Sequence, residues 1–223
     1  SGTDAQNLEA SFCEIIQKAS LNELVINKQS LQFVSTLCRH LTNDSHLKYL
    51  KFVDIFFNDP NLMYHVAWCI TSCEFLHKIK LSGVRFLAGN TYDQFWYALG
   101  LRSRKIQKLN IANYNVVDSN GKKTRKYPIN EHLILWTLKH LNLDTLEIEL
   151  PAIAEPERVK DFLHAVTSNK NLRVLKFHSN MDFSNIHFDK DSIHSFNLLN
   201  LGQYEGPNKN LIKISKQSKV GNQ

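Results

Sequence analysis

The chain has 223 residues, 43% of them hydrophobic and 22% charged, with 8 Gly and 5 Pro, which excludes collagen-like, Pro/Gly-rich and strongly disordered classes. One or two compact domains fit this length, and the apolar content can bury a core without metal or disulfide staples. The 27 Lys+Arg against 21 Asp+Glu leave a net charge of +6, a bias toward acidic partners that falls well short of a polybasic arm.

In chain order, the first element is a helix within residues 4–20, where Leu8, Phe12, Ile15 and Ile16 fall at helical spacing. It reads as a cover over the first strand or as the second half of a partial repeat. From Leu21 onward one short phrase recurs: apolar, two variable, apolar, one variable, apolar. It occurs as Leu21-Leu24-Ile26, Leu47-Leu50-Phe52, Leu76-Ile79-Leu81, Ile106-Leu109-Ile111, Leu143-Leu146-Ile148, Leu172-Leu175-Phe177 and Ile193-Phe196-Leu198. The starts are 26, 29, 30, 37, 29 and 21 residues apart. Three such residues coincide by chance roughly once in 27 positions, so the phrase alone is weak. What strengthens it is the content of the intervals, where a turn-like stretch is followed by apolar residues at spacings of three and four. Leu31, Val34, Leu37, Cys38 and Leu41 mark one such helix, Leu62, Val66, Cys69, Ile70 and Cys73 the next, and Val159, Phe162, Leu163 and Val166 a later one. Near the end, Phe196, Leu199 and Leu201 give a rival register, and residues 205–223 turn polar with Lys209, Lys213, Lys216 and Lys219.

Strand, turn and helix thus repeat in phase, and at this point the sequence resembles the leucine-rich repeat family. Its period of 26 to 30 residues, outside one longer interval and one shorter, is similar to that of the ribonuclease-inhibitor-like subclass. Leu172, Leu175, Phe177 and Asn180 match the full L-x-x-L-x-L-x-x-N phrase. The other units depart from it, with Gln29, Ile55, Val84, Tyr114 and Pro151 in place of the Asn, so their turns must close differently. The resemblance implies an α/β solenoid (horseshoe) of six or seven repeats, with a concave parallel β-sheet and convex helices. Residues 4–204 would form the repeat domain, with repeats over 21–200, and 205–223 a polar C-terminal cap and tail.

In such a register the variable positions of each phrase line up in columns on the open face of the sheet. One column reads Glu23, Tyr49, Lys78, Lys108, Thr145 and Val174; the next reads Val25, Lys51, Lys80, Asn110, Glu147 and Lys176. Lys48, Tyr49, Lys51, Lys78, Lys80, Lys108 and Lys176 are therefore the candidate protein-binding residues, with Tyr49 an aromatic anchor and Asp144, Glu147 and Glu149 an acidic end. The long interval carries an insertion over 115–128, in which Asn120-Gly121 favours a tight turn and Lys122, Lys123, Arg125 and Lys126 make a second, basic-loop candidate.

Chemistry is not indicated. The sequence holds no Gly-rich phosphate loop, HExxH or GxSxG motif, so no catalytic residue and no cofactor is assigned. His65, Cys69 and Cys73 align on one helical face, but with no second Cys/His cluster they read as core and no metal is assigned. Adjacent Cys38 and His40 flank Arg39 and point apart on a helix, which rules out a nucleophile–base pair. Trp136 reads as core, and part of the run Tyr92, Phe95, Trp96 and Tyr97 as an exposed anchor on the helix side. Cys13, Cys38, Cys69 and Cys73 form no CxxC pair and read as free thiols of an intracellular, cytoplasmic or nuclear protein, a bacterial effector delivered into a host cell included. The charge-free stretch 61–73 is too short to cross a bilayer, so no membrane insertion is expected.

The expected function is a non-catalytic protein–protein interaction module, monomeric or part of a larger chain or complex, gripping a protein with an acidic patch. A nucleic-acid-binding module is the alternative from another class. Within the family it resembles, substrate-recognition parts of ubiquitin ligases and cytoskeletal (actin) regulators are further alternatives.

Overall fold

The computed structural model describes residues 11–12, 14–16, 20–41, 46–102, 105–123, 131–149, 161–162, 165–166, 169, 171–179, 197–203 and 210–215. Its strands are β1 (Glu23–Asn27), β2 (Tyr49–Val53), β3 (Phe56–Phe57), β4 (Lys78–Leu87), β5 (Lys108–Val117), β6 (Thr145–Glu149), β7 (Val174–Ser179), β8 (Asn197–Gln203) and β9 (Asn210–Ser215). Helices alternate with them, among the described residues α1 (Leu31–His40), α2 (Pro60–Ser72), α3 (Asn90–Leu101) and α4 (Glu131–His140). The strands form one open sheet in the order β1-β2-β4-β5-β6-β7-β9-β8, with β3 beside β4.

The parallel part of the sheet repeats one set of contacts. Leu24, Leu50, Ile79, Leu109, Leu146 and Leu175 are successive cross-strand partners. Ile26, Phe52 and Leu81 line up in the same way, as do Ile111, Ile148 and Phe177. All of these except Leu24, which is half-buried, and Phe177, whose side chain lies outside the described set, are buried. At each strand entry one carbonyl accepts two backbone N–H groups from the next unit. Asn22 O takes those of Lys48 and Tyr49, Lys48 O those of His77 and Lys78, His77 O those of Gln107 and Lys108, Gln107 O those of Asp144 and Thr145, and Asp144 O those of Arg173 and Val174.

Position eight of the unit is a left-handed kink, with φ of 52° at Lys28, 53° at Asp54 and 65° at Gly83. This is how the turns close without the Asn of the family phrase. The kinked backbone still donates to the neighbouring strand, from Lys28 N to Val53 O and from Asp54 N to Ser82 O, each at 2.9 Å. Past it the chain resumes as strand, so Ile55 and Phe57, Val84 and Phe86, and Tyr114 and Val116 are buried as a second apolar layer. Phe57 stacks on Phe86 at 5.1 Å, and the Tyr92 and Tyr114 hydroxyls share a buried hydrogen bond of 2.6 Å.

The helices bury their expected stripes against one face of this sheet. Leu31, Val34, Leu37 and Cys38 face inward from α1, and Val66, Cys69 and Ile70 from α2. Ser30 caps α1, its Oγ accepting from Phe33 N at 3.2 Å; Asp59 caps α2, accepting from Asn61 N at 2.8 Å, with Pro60 at the first helical position. Of the first expected helix, residues 11–12 and 14–16 are helical, Ile16 is buried and Phe12 lies 6.1 Å from Phe33; Leu8 lies outside the described residues. Phe162 and Val166 are buried as expected, while Val159, Leu163, Asn180 and Pro151 lie outside the described residues.

The far end differs from the sequence reading. The seventh phrase does not add a parallel strand beside β7. Strand β9 occupies that place, antiparallel to β7, and β8 pairs antiparallel with β9 at the edge. Residues 210–215, read as part of a polar tail, carry Leu211, Ile212 and Ile214, enough apolar and β-branched content to enter a sheet. Ile193 and Phe196 lie outside the described residues.

Two substitutions test this build. Leu109→Ala, at a fully packed inward position, should lower unfolding free energy by about 2–5 kcal/mol in a denaturant titration. Gly83→Ala should cost about 1–2 kcal/mol because an L-residue disfavours its φ, and Gly83→Asn less, since Asn tolerates that region. Equal losses for Ala and Asn would show that crowding by Asp54, whose Oδ1 a Cβ built there would meet, and not φ, sets the cost.

Candidate protein-binding surface

Among the described residues the helices cover one face of the sheet and no element packs on the other, which carries the two columns. Glu23, Tyr49, Lys78, Lys108, Thr145 and Val174 are successive partners, as are Val25, Lys51, Lys80, Asn110, Glu147 and Lys176. The structure therefore brings Tyr49, Lys51, Lys78, Lys80 and Lys108 together across three strands, with Lys48 exposed at the entry to β2. Lys78 lies over the Tyr49 ring, its Nζ 4.0 Å from the centroid, a cation–π contact that fixes both side chains. Partial burial and then the charge of Glu23 push the Tyr49 hydroxyl above its ordinary pKa, so it stays a neutral donor and acceptor.

Lys51 and Lys80 sit side by side, and among the described residues neither they nor Lys48 has a carboxylate within ion-pair distance. Adjacent strands lie about 4.8 Å apart, so these like charges repel. The other half of the face is internally neutralised. Glu147 accepts a hydrogen bond from Asn110 Nδ2 at 2.8 Å and pairs with Lys176 Nζ at 3.5 Å. Lys176 is thus separated from the basic group by an acidic strand and belongs to a different environment. Asp144 pairs with Arg173. The bond from Arg173, helped by the Thr145 hydroxyl and the Lys108 charge, holds the Asp144 carboxyl below its ordinary pKa against the opposing effect of burial.

The basic loop lies elsewhere. Asp118 Oδ1 accepts from Asn120 N and Lys122 N at 2.9 Å each, and Gly121 takes φ 76°, so the expected tight turn forms. Lys122 and Lys123 are exposed on it, whereas Arg125 and Lys126 lie outside the described residues. The turn follows the end of β5 and Lys108 starts that strand, which separates the two candidates by roughly 30 Å at 3.3 Å per residue.

The helix side departs from expectation at one tryptophan. Tyr92, Phe95 and Trp96 are buried and Tyr97 projects outward, but Trp136 is 46% exposed and is not core. Helical periodicity identifies an apolar position without saying which flank of the stripe meets solvent, and Trp136 sits at that flank. Cys69 and Cys73 are buried with Sγ atoms 3.7 Å apart, and the thiol that joins them is Cys38 of α1. The hydrogen bond with Cys38, together with burial, drives the Cys69 pKa well above its ordinary value and favours the neutral thiol. Among the described residues no group of three or more His, Cys, Asp or Glu could hold a metal ion, and no helix is long and apolar enough to cross a membrane.

No protein-family model matches the chain, and no curated protein matches it.

Asp144 gives the face a pH signature. Its folded pKa is depressed, so the stabilisation it contributes is present above the unfolded carboxylate range and is lost as pH falls through the folded value. Arg173→Ala should raise the Asp144 midpoint toward the ordinary range, read from its carboxyl carbon by NMR, and remove part of the acid-limb dependence of stability. An unchanged midpoint would show that Arg173 is not what depresses it.

Proposed function

We propose that the chain is a non-catalytic protein-interaction module of leucine-rich repeat type, whose bare, concave sheet face captures an acidic or mixed-charge protein. One observation carries this reading: Lys51 and Lys80, with Lys78, Lys108 and Lys48 around them, are stacked in register on a sheet face that, among the described residues, no other element covers. Parallel sheets are ordinarily covered on both faces, so a bare one calls for a partner. Repulsion among the stacked lysines is relieved when carboxylates arrive, and the Tyr49–Lys78 pair offers a pre-ordered anchor beside them. The neutralised half around Glu147 supplies the mixed-charge margin. An intracellular setting belongs to the same reading, in keeping with the buried thiols of Cys38, Cys69 and Cys73.

Nucleic-acid binding is the second reading, favoured by the same lysines. Two features weigh against it: the Tyr49 ring is partly occupied by Lys78, which leaves less of it to stack on a base, and Glu147 and Asp144 place negative charge on the path of a phosphate backbone. Retention on generic RNA with a steep loss of affinity as salt rises would favour it over the first reading.

The combined substitution Lys51→Glu, Lys80→Glu and Lys108→Glu should leave thermal stability within about 1–2 kcal/mol and weaken capture of the natural partner about tenfold or more. Affinity purification with quantitative mass spectrometry, parent against variant, reads the outcome; a partner recovered equally from both would exclude the sheet face.

A further inference from the structure

The outer face of the helix layer carries a feature that packing does not require. Trp68 on α2, Tyr97 on α3 and Trp136 on α4 each lie five residues before the residue that follows the helix, Cys73, Arg102 and Leu141 respectively. They are therefore equivalent positions on three adjacent helices. Their exposures are 55%, 56% and 46%, and Tyr64 and Leu101, one turn away from Trp68 and Tyr97, are 56% and 59% exposed. Trp136 is held in place, since a Cβ on Gly100 of α3 would come within 2.5 Å of its Cζ3, and His140 lies 4.8 Å from it on the other side.

We propose that this stripe is a self-association surface whose occupant is a second copy of the chain, docked about a twofold axis through Tyr97. Two observations support that occupant. The first is order: across α2, α3 and α4 the stripe reads Trp, Tyr, Trp, the same in both directions. A twofold axis through Tyr97 running along α3 sets Trp68 of one copy on Trp136 of the other and Tyr97 on itself, so every contact across it joins aromatic to aromatic. The second is area. Five side chains of this size, each about half exposed, present roughly 500 Å² of apolar surface. A standard interface takes about 800 Å² per partner, roughly 56–65% of it apolar, so the stripe supplies the apolar share of one such interface. Charge does not oppose the arrangement: α2 carries no Lys, Arg, Asp or Glu, so Lys139 of α4 meets no like charge on the α2 it would face. The surface lies on the helix side, opposite the lysine columns, and stands independently of the proposed partner site.

Sedimentation equilibrium from low to high micromolar chain concentration tests it. The expected result is a reversible monomer–dimer equilibrium. Tyr97→Glu and Tyr97→Lys should each weaken it at least tenfold, because each places like charges on the axis, and an equimolar mixture of the two should restore a heterodimer of parental mass. Far-UV circular dichroism and the melting temperature confirm that both variants fold, and Trp68→Ser, at an exposed position, serves in their place if they do not. A chain that stays monomeric throughout leaves the stripe to some other occupant and overturns the proposal. So does a dimer that survives the Tyr97 or Trp68 changes, or a mixture that fails to re-form. The Lys51, Lys80 and Lys108 variant should dimerise like the parent, so failure here and failure of the partner site are separately visible.

Discussion

The structure depends on register. In a strand successive side chains point to opposite faces, so slipping one strand by a single residue would carry its apolar pair from the core to the bare face. Here that slip is opposed twice in every unit. Leu24, Leu50, Ile79, Leu109, Leu146 and Leu175 form a continuous row, and the carbonyl two residues before each of the first five fixes the entry of the next strand by accepting two N–H groups. Once the row is fixed, the positions between its members are fixed too. The lysine columns on one side and the helix stripes on the other are consequences of the same alignment.

That dependence explains what could be read from the sequence. Six of the seven phrases are strands in the expected order, and the column neighbours, Lys51 beside Lys80 and Lys78 beside Lys108, are those that simple counting gives. Counting succeeds because the offset between paired strands, for example 29 residues from Leu50 to Ile79, is the interval between phrase starts. It fails where period carries no direction. Alternation in Leu198 to Leu201 and in Leu211 to Ile214 fits a parallel or an antiparallel strand equally well, so the order β7-β9-β8 is set by long-range pairing and not by any local pattern. The kink at Lys28, Asp54 and Gly83 was equally hidden, because only one of the three is glycine. Its trace in the sequence is indirect: an apolar residue, Ile55 or Val84, where the family phrase carries Asn.

The two halves of the bare face show why composition is a poor guide to a site. Lys176 and Lys80 occupy the same column, yet Lys176 has Glu147 at 3.5 Å and Lys80 has Lys51 on one side and Asn110 on the other. A carboxylate on a neighbouring strand turns one lysine into a solvated ion pair that contributes little to recognition. A second lysine in the same place leaves charge for a ligand to neutralise. Net charge does not distinguish these cases; the cross-strand neighbour does.

Repetition also multiplies whatever stands at a position that packing leaves unconstrained. Inward places are held to Leu, Ile, Val and Phe by the row they join, and a change there is felt by the units on both sides. The outward place five residues before each helix ending is under no such restraint, and solvent would accept Thr there, as at position 36 of α1. Three consecutive helices instead carry Trp, Tyr and Trp, each near half exposure. Leaving that much aromatic surface in water is unfavourable at about 25 cal/mol per Å², and nothing in the core requires it. A stack of units can carry such a residue once by accident of packing. At three equivalent positions in a row the cost accumulates, and the proposed pairing of two helix layers would recover it.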